Sequence, residues 1–246
     1  MRQFGLIGYP LSHSFSKKYF TEKFERAGLT DCAYENYSIA SVGELPVLLK
    51  SNALLEGINV TIPYKEQVLS FLDEQSAVVK EIKACNCIKI EEGRLIGCNT
   101  DVTGFEQSLV PKLGTNHKHA LILGTGGAAR AVEYVLLKLG IQYKYVSRKK
   151  AGENLSYEEV TPALLITHTL IINTTPLGMY PDVLSFPPIP YQALSSRHYL
   201  FDLVYNPGKT MFLQKGEEQG AVIKNGHDML VIQAEESWKI WNGIRN

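Results

Sequence analysis

The sequence has no run of apolar residues approaching the roughly 18–20 that a membrane-spanning helix requires. Neither charge is in excess: Lys plus Arg and Asp plus Glu each number 25, so the formal net charge is zero. That balance excludes the global basic field that draws a protein to nucleic acid or anionic lipid, and confines any anion site to a local cluster. Cysteine is scarce, with four residues at positions 32, 85, 87 and 98. Cys85 and Cys87 have neither CxxC spacing nor a fourth ligand, so no metal site is expected. Reduced, mostly buried thiols in a cytoplasmic chain are the expectation instead. The apolar start, Phe4 to Gly8, is too short for a secretory leader and runs into Tyr9-Pro10 rather than a small-residue cleavage site. It reads as a buried first strand. The sequence also lacks internal repeats, low-complexity tracts and long linkers.

What is present is a core-forming composition, 45% apolar over 246 residues, enough for one large domain or two modest ones. Strand and helix patterns alternate from the start. Phe4–Gly8 is β-like, Phe15–Ala27 has Phe20, Phe24 and Ala27 at helical spacing, Ala33–Ile39 alternates, Leu45–Leu49 is a helical fragment, and Gly57–Ile62 is a strand ended by Pro63. Cys85–Ile90 and Arg94–Cys98 flank Glu91-Glu92-Gly93 and predict a hairpin at an antiparallel sheet edge. A helix-compatible run, 101–113, leads to a second βα series: Ala120–Leu123, a helix over 128–139, Tyr143–Val146, Leu170–Asn173 and Tyr199–Val204. Met229, Ile232, Trp238 and Trp241 then predict a final helix. Such alternation predicts an α/β fold with mostly parallel sheets, in two domains around a cleft.

The second series carries a glycine-rich turn, Gly124-Thr125-Gly126-Gly127-Ala128-Ala129-Arg130, between a strand and a helix. Gly124 suits the sharp turn, Gly126 lets backbone approach a pyrophosphate, and Ala129 takes the third small position. The helix N-terminus then offers unpaired N–H groups to the anion. The next strand ends in Ser147-Arg148-Lys149-Lys150, with no carboxylate to hold ribose hydroxyls. A serine donor and an arginine clamp suit a 2′-phosphate, which an acid would repel, so NADP(H) is expected over NAD. Thr174, in the run Asn173-Thr174-Thr175 after another apolar strand, either lines the cofactor crevice or only caps its loop.

In the first half, alternation puts Asn59 and Thr61 on one strand face, and Pro63 directs Lys65 away from the strand end. Asn86 and the run Asn99-Thr100-Asp101 belong to the predicted hairpin and its exit, and Ser14 and Ser16 precede or open the first helix. Singly, each has a structural use: Ser14 or Ser16 can cap that helix, Asp101 the next, and Lys65 can be a surface lysine. Together they place neutral hydrogen-bonding groups, one lysine and one aspartate at strand ends, which suits a small polyhydroxylated ligand.

Ser14-Phe15-Ser16, the segment Asn59 to Lys65, Cys85-Asn86, Asn99-Thr100-Asp101, Gly124 to Arg130 and Leu230 to Gln233 resemble, in order and spacing, the shikimate dehydrogenase family. The resemblance covers nearly the whole chain. It implies reversible, NADP-dependent reduction of 3-dehydroshikimate to shikimate in the pathway to aromatic amino acids. It makes Lys65 and Asp101 the catalytic pair, with Ser14, Ser16, Asn59, Thr61, Asn86, Tyr205 and Gln233 holding substrate. On the cofactor side it implies Gly124, Thr125, Gly126, Gly127, Ala128, Ser147, Arg148, Lys149 and Thr174, with Gly226 and the backbone at Leu203 bordering the nicotinamide. Four positions depart from the family pattern: Lys17 stands where proline is usual, Val102 where glycine is usual, and Ser147 and Lys149 flank Arg148 in place of Asn and Thr. The expected division is a substrate domain over 1–103, an NADP domain over 104–226, and a C-terminal helix over 227–246 returning to the first. The expected state is a monomer or homodimer without membrane or nucleic-acid partners. Two rivals are a quinate/shikimate dehydrogenase with broader cofactor use and a non-catalytic NADP or metabolite sensor.

Overall fold

The computed structural model describes residues 1–11, 14–150 and 152–243. It divides into two compact units, Met1–Thr100 with Gln233–Asn246, and Asp101–Ile232. The divisions fall at Thr100/Asp101 and Ile232/Gln233, close to but not at the expected 103/104 and 226/227. The reason is helical: one helix begins at Asp101, and the last helix, His227–Trp241, runs unbroken through the second division.

The first unit contains β1 (Arg2–Gly8), α1 (Phe15–Arg26), β2 (Cys32–Ser38), α2 (Leu45–Ser51), β3 (Leu55–Val60), β4 (Glu74–Gln75), α3 (Ala77–Ile82), β5 (Cys87–Glu91) and β6 (Arg94–Cys98). Its sheet has the order β2-β1-β3-β5-β6-β4. The β1 strand pairs in parallel with β2 and β3, β5 runs antiparallel to β3 and β6, and β4 is parallel to β6. The hairpin is therefore not the sheet edge that its sequence suggests. The two-residue β4 covers its outer strand, Glu74 and Gln75 pairing with Ile96 and Gly97.

The second unit contains α4 (Asp101–Leu109), β7 (His119–Leu123), α5 (Gly127–Lys138), β8 (Gln142–Ser147), β9 (Leu155–Ser156), α6 (Pro162–Thr167), β10 (Leu170–Asn173), β11 (Tyr199–Asp202), α7 (Met211–Glu217) and β12 (Val222–Lys224). Its strands are all parallel, in the order β12-β11-β10-β7-β8-β9. Read from the other edge this is the doubly wound order 3-2-1-4-5-6, whose direction of winding reverses between its first and fourth strands, here β7 and β10. All four residues of β10 and of β11 are buried, as strands covered on both faces must be.

The last helix, α8 (His227–Trp241), completes the first unit. Trp241 stacks on Phe4 at 4.9 Å between ring centroids and donates its indole N–H to the Ile88 carbonyl at 3.0 Å. Gly57 makes room for it, because a Cβ there would overlap the indole ring. Among the described residues no helix is long and apolar enough to cross a membrane, and no group of three or more His, Cys, Asp or Glu could hold a metal ion.

Candidate active site

In the second unit, β7 delivers the chain to Gly124, whose φ of +104° is the left-handed geometry that glycine adopts without strain. Its N–H bonds the Val146 carbonyl of β8 at 2.8 Å. Thr174, at the end of β10, crosses the reversal point: its backbone N–H and its hydroxyl both donate to the Leu123 carbonyl, at 2.9 and 2.7 Å. A Cβ on Gly124 would lie 2.8 Å from the Thr174 hydroxyl oxygen. Thr174 thus packs on the glycine turn that the sequence links to the cofactor.

Gly126 caps α5 with no side-chain hydrogen bond, and a Cβ at Gly126 or Gly127 would meet open space. Thr125 is exposed, and Ala128 is half-buried beside the buried Ala129. Uncapped N–H groups beside an open, Cβ-free cradle fit the pyrophosphate of a dinucleotide. Beyond β8, Arg148 and Lys149 are exposed. The Ser147 hydroxyl donates to the Lys149 carbonyl at 2.5 Å, closing the turn that carries Arg148.

At the end of β11 a buried carboxylate organises the neighbouring loops. Asp202 accepts from the Asn173 amide at 2.9 Å, the Val204 backbone N–H at 3.0 Å and the Thr210 hydroxyl at 2.5 Å. Burial pushes its pKa up to about 6 despite these donors. Asn173 in turn accepts from the Thr175 hydroxyl at 2.6 Å. The Leu203 N–H bonds Asn173, and a Cβ on Gly226 would overlap the Leu203 carbonyl, so only glycine admits that backbone. Tyr205, half-buried, follows two residues later. A single acid in the apolar run Tyr199–Val204 was the available signal for Asp202.

In the first unit, Ser14 does cap α1, its hydroxyl oxygen accepting from the Lys17 N–H at 3.2 Å. Lysine matters there: the proline usual at that position has no N–H to offer. Ser16 lies in the first turn of the same helix. Tyr34 donates to Asn59 Oδ1 at 2.9 Å, and Asn59 Nδ2 donates to the Asn86 carbonyl at 3.2 Å and to Ser237 Oγ at 2.9 Å. Asn86 Oδ1 accepts from the Thr100 N–H at 2.6 Å, while its Nδ2 donates to Thr100 Oγ1 at 3.0 Å. Thr100 Oγ1 also lies 3.4 Å from Gln233 Oε1 and 3.3 Å from Ser237 Oγ. Asn59, Asn86 and Gln233 therefore meet in one network, which also contains Tyr34, Thr100 and Ser237, residues with no role in the sequence reading. Tyr34 and Ser237 gave no signal beyond strand and helix spacing.

Thr61 and Lys65 flank a turn fixed from below. Thr61 donates its N–H to Ile7, and Tyr64 is anchored through its hydroxyl to the Ile39 carbonyl at 2.6 Å. The Lys65 carbonyl accepts from the Cys85 N–H at 2.8 Å, tying the lysine to the segment through Asn86 that leads into β5. Asp101 is buried at the first turn of α4, in the second unit. Val102, where glycine is usual, is buried within the same helix and leaves its start at Asp101.

Comparison with known proteins gives these sites a context. The family model described as the shikimate dehydrogenase substrate binding domain matches residues 6–88. A protein of Caldicellulosiruptor saccharolyticus named shikimate dehydrogenase (NADP(+)) is 35% identical, covering 100% of this chain and 94% of its own length. One of the same name from Clostridium beijerinckii is 38% identical over 98% of this chain and 92% of its own. The crystal structure of shikimate 5-dehydrogenase from Thermus thermophilus, in complex with NADP(H) and shikimate, superimposes with a TM-score of 0.87 at 30% identity, covering 99% of this chain and 94% of that one. Similarity of this extent runs through both units, and the chain belongs to the shikimate dehydrogenase family.

Proposed function

We propose that this chain catalyses the reversible reduction of 3-dehydroshikimate to shikimate with NADPH, the step of aromatic amino acid synthesis that the family resemblance implies. The observation that carries this reading is coverage: the relatives named shikimate dehydrogenase (NADP(+)) match along both units, not through the dinucleotide half alone. NADPH, when bound, supplies the hydride. The residues that would hold it are Gly124, Thr125, Gly126, Gly127 and Ala128 at the pyrophosphate, Ser147, Arg148 and Lys149 at the 2′-phosphate, and Thr174, Leu203 and Gly226 along the cofactor crevice. Uncapped helix N–H groups and the absence of an acid after β8 support this assignment.

On the substrate side, Ser14, Ser16, Asn59, Thr61, Asn86, Tyr205 and Gln233 would bind the carboxylate and hydroxyls. Lys65 donates a proton to the C3 oxygen in reduction and accepts it in oxidation, and Asp101 accepts a hydrogen bond from the neighbouring ring hydroxyl. The free thiols of all four cysteines support a cytoplasmic location. A monomer or homodimer is the proposed assembly. The test is absorbance at the reduced nicotinamide band with shikimate or quinate against NADP+ or NAD+. Shikimate with NADP+ should give the highest kcat/KM, and Lys65→Ala should lower kcat by roughly 10²–10⁴-fold. Near-normal kcat with only a raised KM would remove the proton-transfer role. Binding of both ligands without turnover would favour a sensor.

A further inference from the structure

We propose that Tyr34 is a positioning residue of the substrate site, one that fixes the orientation of the Asn59 side-chain amide. The proposal rests on the substrate role assigned above to Asn59. That orientation follows from which atoms can donate. The Asn86 carbonyl only accepts, so the nitrogen of the Asn59 amide must face it, at 3.2 Å. Asn59 Oδ1 is thereby turned to Tyr34, which must donate, at 2.9 Å.

The other end agrees. Ser237 donates its proton to the Gln233 carbonyl at 2.9 Å and so accepts from Asn59 Nδ2, also at 2.9 Å. Tyr34 is held in place by stacking on Phe20, with centroids 4.6 Å apart and planes 12° from parallel. Its complete burial keeps the phenol protonated, hence a donor, well past neutral pH.

The chemical consequence is a restriction at Asn59. Both N–H groups are used, on Asn86 and Ser237, and Tyr34 occupies one lone pair of Oδ1. One lone pair remains, so Asn59 meets a ligand only as an acceptor, and the group it selects is a hydroxyl rather than a ketone or carboxylate. Asn86 differs: its Nδ2 donates to Thr100 Oγ1 and retains a second N–H. Without the Tyr34 hydroxyl the Asn59 amide loses the partner that pins its oxygen.

Tyr34→Phe keeps the stacked ring and removes only the hydroxyl. Steady-state kinetics with shikimate and NADP+ should show the shikimate KM raised about tenfold, the worth of one net hydrogen bond, with kcat and the NADP+ KM within about twofold of wild type. A shikimate KM within about twofold of wild type, or a parallel loss in kcat and both KM values, overturns the positioning role. Should that variant fail to fold, Ser237→Ala frees the same amide from its nitrogen side. The same split is then expected, and an unchanged shikimate KM overturns the proposal. A wild-type chain that neither binds nor oxidises shikimate overturns the functional reading and this inference with it, whereas an active wild type with a silent Tyr34→Phe overturns this inference alone.

Discussion

Asp202 gives the sharpest physical test of the second unit. It is fully buried, with three donors and no cation among its hydrogen-bond partners, and its carboxyl pKa is raised from 3.8 to about 6 because desolvation outweighs the hydrogen bonds. A carboxyl with a folded-state pKa above its unfolded value binds a proton more readily when folded. Between about pH 4 and pH 6 the native state therefore holds more protons than the unfolded one, and stability falls as pH rises. A shift of about two units corresponds to about 3 kcal/mol lost across that window.

Asp202→Asn removes the ionisation and can keep the bonds. Its amide oxygen replaces Oδ1 for Asn173 and Val204, and its amide nitrogen faces Thr210, whose hydroxyl can turn from donor to acceptor. Asp202→Ala removes the ionisation and leaves those donors without their buried acceptor. The alanine variant should therefore be less stable than the asparagine variant by about 3 kcal/mol or more at every pH. Wild type minus Asp202→Asn should grow by about 3 kcal/mol from pH 7.5 down to pH 4. Both tryptophans lie in α8 within the first unit, so their fluorescence does not report this region. Native-state hydrogen exchange at Ile171, Ile172 and Leu200 does, because these amides belong to the strands that Asp202 joins. A wild-type-minus-asparagine difference that is flat with pH, or that grows toward alkaline pH, would refute the reasoning.

Other consequences follow from single contacts. Gly57→Ala drives a methyl group into the Trp241 indole, which is held by Phe4 and by its bond to Ile88, so chemical denaturation should show a loss of about 3 kcal/mol or more. If Arg148 holds the 2′-phosphate as proposed, Arg148→Ala should raise the NADP+ KM roughly 10–100-fold, the worth of one charge-assisted bond, and leave the NAD+ KM nearly unchanged. His168 is held neutral mainly by burial, with His119 and Lys144 nearby also disfavouring its charge. Its folded pKa lies below the unfolded value, so stability present above about pH 6.5 is lost on acidification. His168→Gln should blunt that acid-side loss in a denaturation series from pH 7.5 to 5.

Legibility in the sequence followed the length over which a pattern repeats. Leu170–Asn173 reads as a strand and is one, because four consecutive apolar-to-polar positions bounded by turn residues need no distant partner. The helices Ala77–Ile82, Pro162–Thr167 and Met211–Glu217 escaped because six or seven residues hold fewer than two turns, too few for a 3.6-residue period to show. The glycine turn and the missing acid after β8 were legible for another reason: each is a local rule about φ, Cβ volume or charge. The polar network of the first unit was legible only at its ends. Asn59 stands where β3 finishes and Asn86 just before β5 begins, and that position alone marks them. Tyr34 lies 25 residues before Asn59 and Ser237 178 residues after it, so no window along the chain joins them. Their contribution is to use up donors and lone pairs on Asn59, and a capacity used up by partners that distant becomes visible only when the three-dimensional bonds are assigned atom by atom.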